Sequence, residues 1–327
     1  MDNWFTRLTG LPDDRPKTAR DGIAWDGTDL ICPNGRVMSA GSLSIPSLAE
    51  LRELAAPVPS NGATTVREVV ADVQALHHDP ANAGAMFQVA SQFNLLEMIG
   101  PSVSPDDGIA RYSTDKTQGP ACAIACAAGT IYRNYFVPTD GQTGQSATKQ
   151  IDTLTDLGKA LGNHDHALWD MRNGYALPRA DGIETLNRKI AGDDHDHLRD
   201  LIRIGVQADT EVTLDDAGHR VTQVYCSALP IAYSDLMPWH LAPFGNLILE
   251  AAYEATLLAA LQHAKRTGNK RVYLTRLGGG AFGNAAADIT AAIARAVNLF
   301  PDAGLDIVIV SYGAATPANA PLLTHGS

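Results

Sequence analysis

The last third of the chain contains a strand too apolar to be exposed on either face. Residues 305–311 read LDIVIVS, and they follow a helix at 247–265, a strand at 271–277, a loop at 278–284 and a helix at 288–300. This alternation is typical of a largely parallel sheet with helices on both faces. The sequence therefore predicts an α/β fold with three layers, α/β/α, around a mixed sheet.

Shorter patterns extend this prediction towards the N-terminus. Residues 86–90 form an apolar run that predicts a buried strand, and the valine spacing in 64–77 predicts a helix. Small residues predict a helix over 120–128, and 131–137 fits a strand. Residues 206–227 fit a hairpin around an Asp-Asp-Ala-Gly turn.

These elements suggest a division of the chain. We expect an N-terminal extension, residues 1–80, packed on a core formed by 81–138 and 220–320. Residues 139–219, rich in charged turns, are expected to be a helical and hairpin insertion.

Composition narrows the function classes. The net charge is −11 and Lys and Arg form no run, which argues against general nucleic-acid binding. The four cysteines form no CxxC pair and are expected to be reduced core residues. The N-terminus does not resemble a signal peptide, and no segment looks long enough to cross a bilayer, so we expect a cytoplasmic protein without a membrane partner.

The strongest local motif is the loop 278–284, Gly-Gly-Gly-Ala-Phe-Gly-Asn, between a buried strand and a helix. Glycines let backbone N–H groups approach a ligand, and the following helix N-terminus favours an anion. A diphosphate is the expected guest, although a tight turn that binds nothing would have the same pattern. The motif is neither a Walker A loop nor a GxGxxG fingerprint.

Two further polar segments follow predicted elements. In 91–97, Gln92 and Asn94 come directly after the strand at 86–90, where Asn94 could hold a ribose hydroxyl or only close the local turn. In 107–118, Asp107, Asp115 and Gln118 precede the small-residue helix. They could position a water or a hydroxyl, or they could only cap the helix.

Histidine and aspartate cluster at 163–166 and 193–197 within the expected insertion. By composition they suggest metal ligands, but they lack ordered helical spacing. We expect a solvated surface and no metal site there. The sequence contains no Gly-x-Ser-x-Gly elbow, so a serine nucleophile is not indicated.

The order of these motifs resembles a known family. The run from VYLTRL through GGGAFGN to LDIVIVSYG resembles the second half of a macrodomain, and FQVASQFNLLE with DGIARYSTDKTQGPACAIACAAGTIYRNYF resembles the divergent MavL-type macrodomain-like ADP-ribosylhydrolases. The resemblance covers roughly residues 86–138 and 220–313. It implies a macrodomain-like sandwich that binds ADP-ribose along the carboxyl edge of its strands.

The resemblance also implies an activity and site residues. The family removes ADP-ribose from protein side chains, with ADP-ribosyl-arginine as the implied substrate. Its spaced Asp, Asp and Glu fall on Asp107, Asp115 and Gln118, so the third position departs from the pattern, because an amide cannot act as a general base. Asp115 or nearby Glu97 would then be the base.

The resulting hypothesis assigns a role to each part of the site. The loop Gly278, Gly279, Gly280, Ala281, Phe282, Gly283 and Asn284 binds the diphosphate, with Phe282 near the distal ribose and Tyr312 beside the adenine. Gln92, Asn94 and Gln118 contact the ligand, and Asp115, supported by Asp107, activates water. The scheme needs no cofactor or metal, and its partner is ADP-ribose or an ADP-ribosylated protein. Trp169, Asn173 and Tyr175 could shape the protein-substrate side.

Three alternatives remain open at this point. Gln118 favours a reader that binds ADP-ribose without turnover. The His/Asp segments could serve a metal-dependent hydrolase, and the insertion could have a purely structural or interaction role.

Overall fold

A computed structural model describes residues 3–58 and 60–324. Its strands, in chain order, are β1 Ala24–Trp25, β2 Asp29–Ile31, β3 Val37–Ser39, β4 Ser42–Ser44, β5 Thr65–Val70, β6 Met86–Ala90, β7 Pro138–Thr139, β8 Gln142–Thr143, β9 Trp169–Arg172, β10 Tyr175–Pro178, β11 Gly205–Glu211, β12 Arg220–Cys226, β13 Arg271–Leu274 and β14 Asp306–Ser311.

Helices separate many of these strands. In chain order they are α1 Trp4–Thr9, α2 Pro16–Gly22, α3 Leu48–Ala55, α4 Val73–His78, α5 Gln118–Ala125, α6 Ala127–Ile131, α7 Thr155–Leu161, α8 Ile183–Gly192, α9 His195–Asp200, α10 Pro238–Thr267 and α11 Ala286–Leu299.

Seven of the described strands form one mixed sheet in the order β4-β11-β12-β6-β13-β14-β5. The neighbours from β12 to β5 pair in parallel, whereas β11 is antiparallel to both β12 and β4. The parallel strands therefore all end at one edge of the sheet.

Alternation along the strands sends side chains to two helical layers. Met86 packs in the cluster that contains α10 and α11, whereas Phe87 and Val89 pack in the cluster that contains Cys122 of α5 and Cys126, which directly follows α5. All four cysteines are buried and free, as predicted. The predicted three-layer α/β/α fold class is confirmed.

The central helix α10 is longer than expected. It spans 30 residues and contains a window of mean hydropathy 1.2, so by length and composition it could cross a membrane, which the sequence analysis did not anticipate. Within the described protein, 89% of that window is buried, as in a core helix covered by α3, α8, α9 and α11.

The sheet also recruits strands from outside the predicted core ranges. Strands β4 and β5 lie in the predicted N-terminal extension, and β11 lies in the predicted insertion, yet all three belong to the seven-stranded sheet. The division of the chain into extension, core and insertion stays a prediction.

Two predicted elements were wrong. Residues 64–77 were predicted as one helix, but they contain β5, a break at residues 71 and 72, and the start of α4. The β-branched residues of Thr65–Val70 pair with β14, and Asp72 caps the new helix through its carboxylate.

The predicted strand at 131–137 is helical instead. A π-helical turn, Tyr132–Phe136, continues α6. Gly129 does not end the helix, because it lies inside α6, where a Cβ would approach Oγ1 of Thr210 to 2.9 Å. This glycine serves close packing against β11 instead of a helix cap.

Candidate active site

A cleft of about 1080 Å³ runs along the carboxyl ends of the parallel strands. The residues that directly follow these strands line it, and they include Ala71 after β5, Ser91 after β6, Thr275 after β13 and Tyr312 after β14. Ligands of open α/β sheets bind at this edge. The cleft therefore lies at the carboxyl edge of the sheet, where the sequence analysis expected the ligand.

One side of the cleft is the glycine wall, residues 278–284. Gly278 has a φ of +71°, and a Cβ there would lie 2.3 Å from Nδ2 of Asn284 and 2.6 Å from Cβ of Ala228. In contrast, a Cβ on Gly280 would meet nothing within 4 Å. Gly278 is thus required by the turn itself, whereas Gly280 leaves the backbone open to the cleft.

Consecutive N–H groups of the glycine wall are available to a ligand. Gly279, Gly283 and Asn284 donate to carbonyl groups within or next to the loop, but the N–H groups of Gly280, Ala281 and Phe282 donate to no described residue. Helix α11 begins just beyond, and its N-cap, Ala285, has no side-chain cap. Such donors at a helix N-terminus suit an anion.

The Asn284 side chain stabilises the glycine wall through hydrogen bonds to the backbone. Its Nδ2 donates to the carbonyl groups of Leu229, at 2.8 Å, and Gly278, at 3.3 Å. The side chain is 6% exposed, and its Oδ1 has no described hydrogen-bond partner. Asn284 lines the cleft, and its visible contacts hold the turn in shape.

A second part of the cleft lining comes from residues 107–118, here called the acidic wall, of which Ser113 and residues 115–118 line the cleft. Asp115 lines the cleft half-buried, and its Oδ1 accepts a 2.8 Å hydrogen bond from the N–H of Thr117. Burial, with the nearby Tyr233 phenol and Asp115 carboxylate, raises the pKa of Tyr175 well above its ordinary value. Asp115 lines the same cleft as Tyr175, Tyr233 and Phe282.

Gln118 lines the cleft but uses its amide for structure. Its Oε1 accepts from the N–H of Ala90 at 2.9 Å, and its Nε2 donates to the carbonyl of Gln88 at 2.9 Å. Strand β13 pairs with β6 only as far as Phe87, so the side chain occupies the place of a missing strand partner. This position explains an amide at residue 118, because an amide, unlike an ionised carboxylate, can accept from one backbone group and donate to the other.

Three other predicted site residues are also held by backbone contacts. Asp107 lies outside the cleft lining, where its Oδ2 accepts from the N–H and Oγ of Ser104. Asn94 is fully buried outside the lining and closes the turn at Leu96. Gln92 lines the cleft, but its amide is bonded to the backbone of Met98 in both directions. For Asp107 and Asn94, the structure shows turn capping, the other role considered from the sequence.

A buried ion pair supports the acidic wall. Glu97 and Arg133 are both fully buried and lie 3.3 Å apart, with Arg133 also donating to the Leu95 carbonyl and stacked over the Tyr225 ring. Burial raises the pKa of Glu97 to about 7, against the opposing effect of Arg133. Glu97 does not line the cleft, so it is poorly placed to act as the base.

Gly119 connects this support to the cleft. A Cβ there would lie 1.9 Å from the Ala90 carbonyl oxygen and 3.2 Å from Cγ of Glu97. Only a glycine allows helix α5 to begin directly against β6.

Aromatic rings meet between the two walls. The centroids of Tyr175 and Phe282 are 5.5 Å apart, and Tyr233 lies 5.3 Å from Tyr175 and 5.8 Å from Phe282. Tyr175 lies in β10, within the range predicted as an insertion, and it lines the cleft. Trp169 packs instead in the core against Phe244, and Asn173 bonds to the Pro101 carbonyl.

The sequence analysis missed several residues of the cleft. Trp4 and Arg7 come from α1, Asp72 from the cap of α4, and Tyr233 from the loop before α10. Asp72 was missed because residues 64–77 were predicted as one helix, so no strand end was expected there. The others reach the cleft through tertiary packing.

The histidine-rich segments do not converge on a metal site in the described parts of the chain. Among residues 3–58 and 60–324, no group of three or more His, Cys, Asp or Glu side chains could hold a metal ion. The Asp196 carboxylate bonds instead to Arg52 and Arg199.

No family model and no curated protein gives a match to this sequence. Among solved structures, the chain is similar to a poly(ADP-ribose) glycohydrolase from Thermomonospora curvata, with 15% identity, a TM-score of 0.46 and 92% of each chain covered. The same enzyme bound to the inhibitor ADP-HPD gives 15% identity and a TM-score of 0.45, again with 92% of each chain covered.

A poly(ADP-ribose) glycohydrolase from Deinococcus radiodurans in complex with ADP-ribose gives 11% identity and a TM-score of 0.44, covering 84% of this chain and 89% of that chain. The resemblance to the MavL-type family stays a prediction. The functional proposal below therefore depends on the residues of the cleft.

Proposed function

We propose that this protein is a hydrolase that removes ADP-ribose from a modified protein side chain. The observation that carries the proposal is that one cleft joins the glycine wall to the Asp115 carboxylate. A ligand with a diphosphate at one side and a glycosidic bond at the other fits this arrangement. The cleft volume of about 1080 Å³ is slightly above the range of about 300–1,000 Å³ that is typical of small-molecule sites.

Binding begins at the glycine wall. The N–H groups of Gly280, Ala281 and Phe282 donate to the diphosphate oxygens, and the N-terminus of α11 adds a favourable dipole. Tyr312, 83% exposed at the end of β14, offers a ring face to the adenine. Phe282 packs beside the distal ribose.

Hydrolysis takes place at the acidic wall. Asp115 accepts a proton from a water molecule as the water oxygen bonds to the anomeric carbon and the bond from that carbon to the side-chain nitrogen breaks. The nitrogen leaves with a proton taken from solvent. The carboxylate also stabilises the positive charge that develops on the sugar, as in glycoside hydrolysis.

An arginine-linked substrate suits the surroundings of Asp115. The rings of Tyr175, Tyr233 and Phe282 can lie against a guanidinium, which binds aromatic faces favourably. The net charge of −11 attracts a basic protein target over a longer range.

Calorimetry of the purified protein with ADP-ribose tests the binding step, with AMP and NAD as controls. We expect clear binding of ADP-ribose and weak or undetectable binding of AMP and NAD. Release of ADP-ribose from an arginine-modified protein then tests turnover. No binding of ADP-ribose would reject the assignment of the glycine wall.

A reader that binds ADP-ribose without hydrolysis is the second candidate. It is favoured by the position of Gln118, whose amide is bonded to β6, and of Asp107, which lies outside the cleft lining. Of the three residues that correspond to the family's acidic set, only Asp115 then offers a carboxylate to the cleft. A protein that binds ADP-ribose but releases none from modified arginine, serine or glutamate would be this reader.

A further inference from the structure

The loop that carries Asp115 is covered by the start of the chain. Phe5, Leu11 and Ala19 from the N-terminal segment share one apolar cluster with Ile109 and Tyr112 of the loop. All five side chains are at most 6% exposed. The N-terminal segment, residues 3–23, is therefore packed on the acidic wall.

Two side chains of this segment bind the same loop residue, Ala110. The Oδ2 of Asp14 accepts a 2.6 Å hydrogen bond from the N–H of Ala110. Nε1 of Trp4 donates to the carbonyl of Ala110 at 2.9 Å. The N–H and the carbonyl of Ala110 are thus both hydrogen-bonded to side chains that lie about a hundred residues earlier in the sequence.

The loop is shaped to admit this contact. Gly108 has a φ of +82°, and a Cβ there would lie 2.2 Å from the Oδ2 of Asp14. Asp14 is itself fixed, because the hydroxyl of Tyr135 donates to its carbonyl. The approach of Asp14 to the loop depends on a glycine at this position.

Ala110 is connected to Asp115 by a single short turn. Ala110 begins a 3-10 turn, Ala110–Thr114, and the N–H of Asp115 donates to the carbonyl of Tyr112 at 3.1 Å. The hydroxyl of Tyr112 in turn accepts from the N–H of Glu97. The turn is therefore held at its start by the N-terminal segment and at its middle by the core.

We propose that Asp14 and Trp4 are positioning residues that hold the Asp115 carboxylate at the cleft. A catalytic role for this placement rests on the proposed function. Without the two contacts, the N–H and carbonyl of Ala110 lose their protein partners, and the turn opens more often. Asp115 then spends less time at the position where it meets substrate, whereas the glycine wall is unaffected.

The test compares Asp14→Ala with Asp14→Asn and Asp13→Ala in the full chain. Asparagine keeps an oxygen that can accept from Ala110, so it should restore part of the effect. Asp13 is the matched control, because its carboxylate pairs with the exposed Arg15 and does not bond to the loop. Thermal unfolding confirms that each variant is folded, and Trp4→Phe replaces Asp14→Ala if the latter does not fold.

The first measurement is hydrogen–deuterium exchange of peptides that cover residues 107–118 and 278–284. Asp14→Ala should speed exchange in 107–118 and leave 278–284 unchanged, while Asp13→Ala should match the wild type. With an ADP-ribosylated protein, kcat should fall about tenfold or more, as for loss of a hydrogen bond to a charged group. KM and ADP-ribose affinity should stay near the wild-type values.

The outcomes separate this proposal from the proposed function. Unchanged exchange in 107–118 in a folded Asp14→Ala protein overturns the positioning role, whatever the activity. If Asp14→Ala speeds exchange in 107–118 while neither the wild type nor any variant hydrolyses the substrate, that result supports the positioning of the loop and rejects the proposed hydrolase. Equal losses in kcat for Asp14→Ala and Asp13→Ala also overturn it.

Discussion

The glycine wall and the acidic wall line one cleft, but the chain builds them differently. The glycine wall is continuous with the strand before it and the helix after it, so β13, residues 278–284 and α11 form one local unit. The acidic wall depends on Trp4 and Asp14, which lie about a hundred residues before Asp115 in the sequence. The backbone donors of the glycine wall are therefore set mainly by adjacent residues, whereas the acidic wall also depends on contacts with the N-terminal segment.

Asp115→Ala gives the sharpest contrast between the two walls. We expect hydrolysis to fall by about 10²–10⁴-fold, because the group that moves the proton is lost. ADP-ribose affinity should change little, because the glycine wall is intact. Single-turnover kinetics and calorimetry check the two effects, and Asp13→Ala, which removes a carboxylate paired with the exposed Arg15, is the control. A protein that loses affinity and rate together would show that the walls do not act separately.

Glu97→Gln tests the buried support of the acidic wall. The pKa of Glu97 is raised from 4.5 to about 7 in the folded protein, so the folded state keeps a proton that the unfolded state has released. This stability is fully present below pH 4.5 and is lost as the pH rises through 7. Relative to Glu97→Gln, the wild type should lose on the order of 3 kcal/mol of unfolding free energy across that interval.

Urea unfolding of the wild type and of Glu97→Gln at several pH values gives the difference in their unfolding free energies. His77 has the opposite dependence, since burial lowers its pKa to about 4, so its contribution to stability is lost as the pH falls from 6.5. Both proteins keep His77, and its effect cancels when they are compared. Parallel pH curves would mean that Glu97 is ionised throughout.

Gly278→Ala disturbs the other wall. The left-handed φ of +71° and the 2.3 Å approach to Asn284 should move the loop, and we expect ADP-ribose affinity to fall about tenfold or more. Gly268→Ala is the matched control, because Gly268 has a φ of +80° at the end of α10 and no neighbour within 4 Å of a Cβ. Calorimetry should show normal affinity for the control. Equal affinities for the two variants would contradict the role of the loop.

Tyr233→Ala should have the smallest effect, at the junction of the walls. Losing its contacts with Tyr175 and Phe282 should weaken substrate binding by about 0.5–1.5 kcal/mol. Trp239→Ala removes an exposed ring from the same segment but outside the cleft lining, and KM should not change. If both substitutions raise KM alike, the whole segment contacts the protein target.

The different construction of the walls explains what the sequence could predict. The glycine loop was located correctly because strand, turn and helix follow one another within 30 residues, and the apolar run at 305–311 required burial on both faces. The valines of 64–77 misled because positions 66, 69, 70 and 73 fit one face of a helix, although Val66 and Val69 pair with β14 in a strand.

Side-chain roles in the acidic wall were harder to predict for a physical reason. Asp107 and Asn94 have residue types that suit both ligand contact and turn capping, and only the position of the cleft distinguishes the two. Trp4 and Tyr233 carry no local signal at all, because their neighbours in the cleft come from remote segments.

Gln118 shows how the backbone of a sheet can restrict the residue types that line a cleft. An acid at this position could still accept a hydrogen bond from Ala90, but an ionised carboxylate could not donate one to the carbonyl of Gln88. An acid introduced here by a single substitution would therefore leave a strand carbonyl without its donor. A carboxylate at position 118 would need a second change that supplies another donor to this carbonyl, so the amide is far easier to keep than to replace.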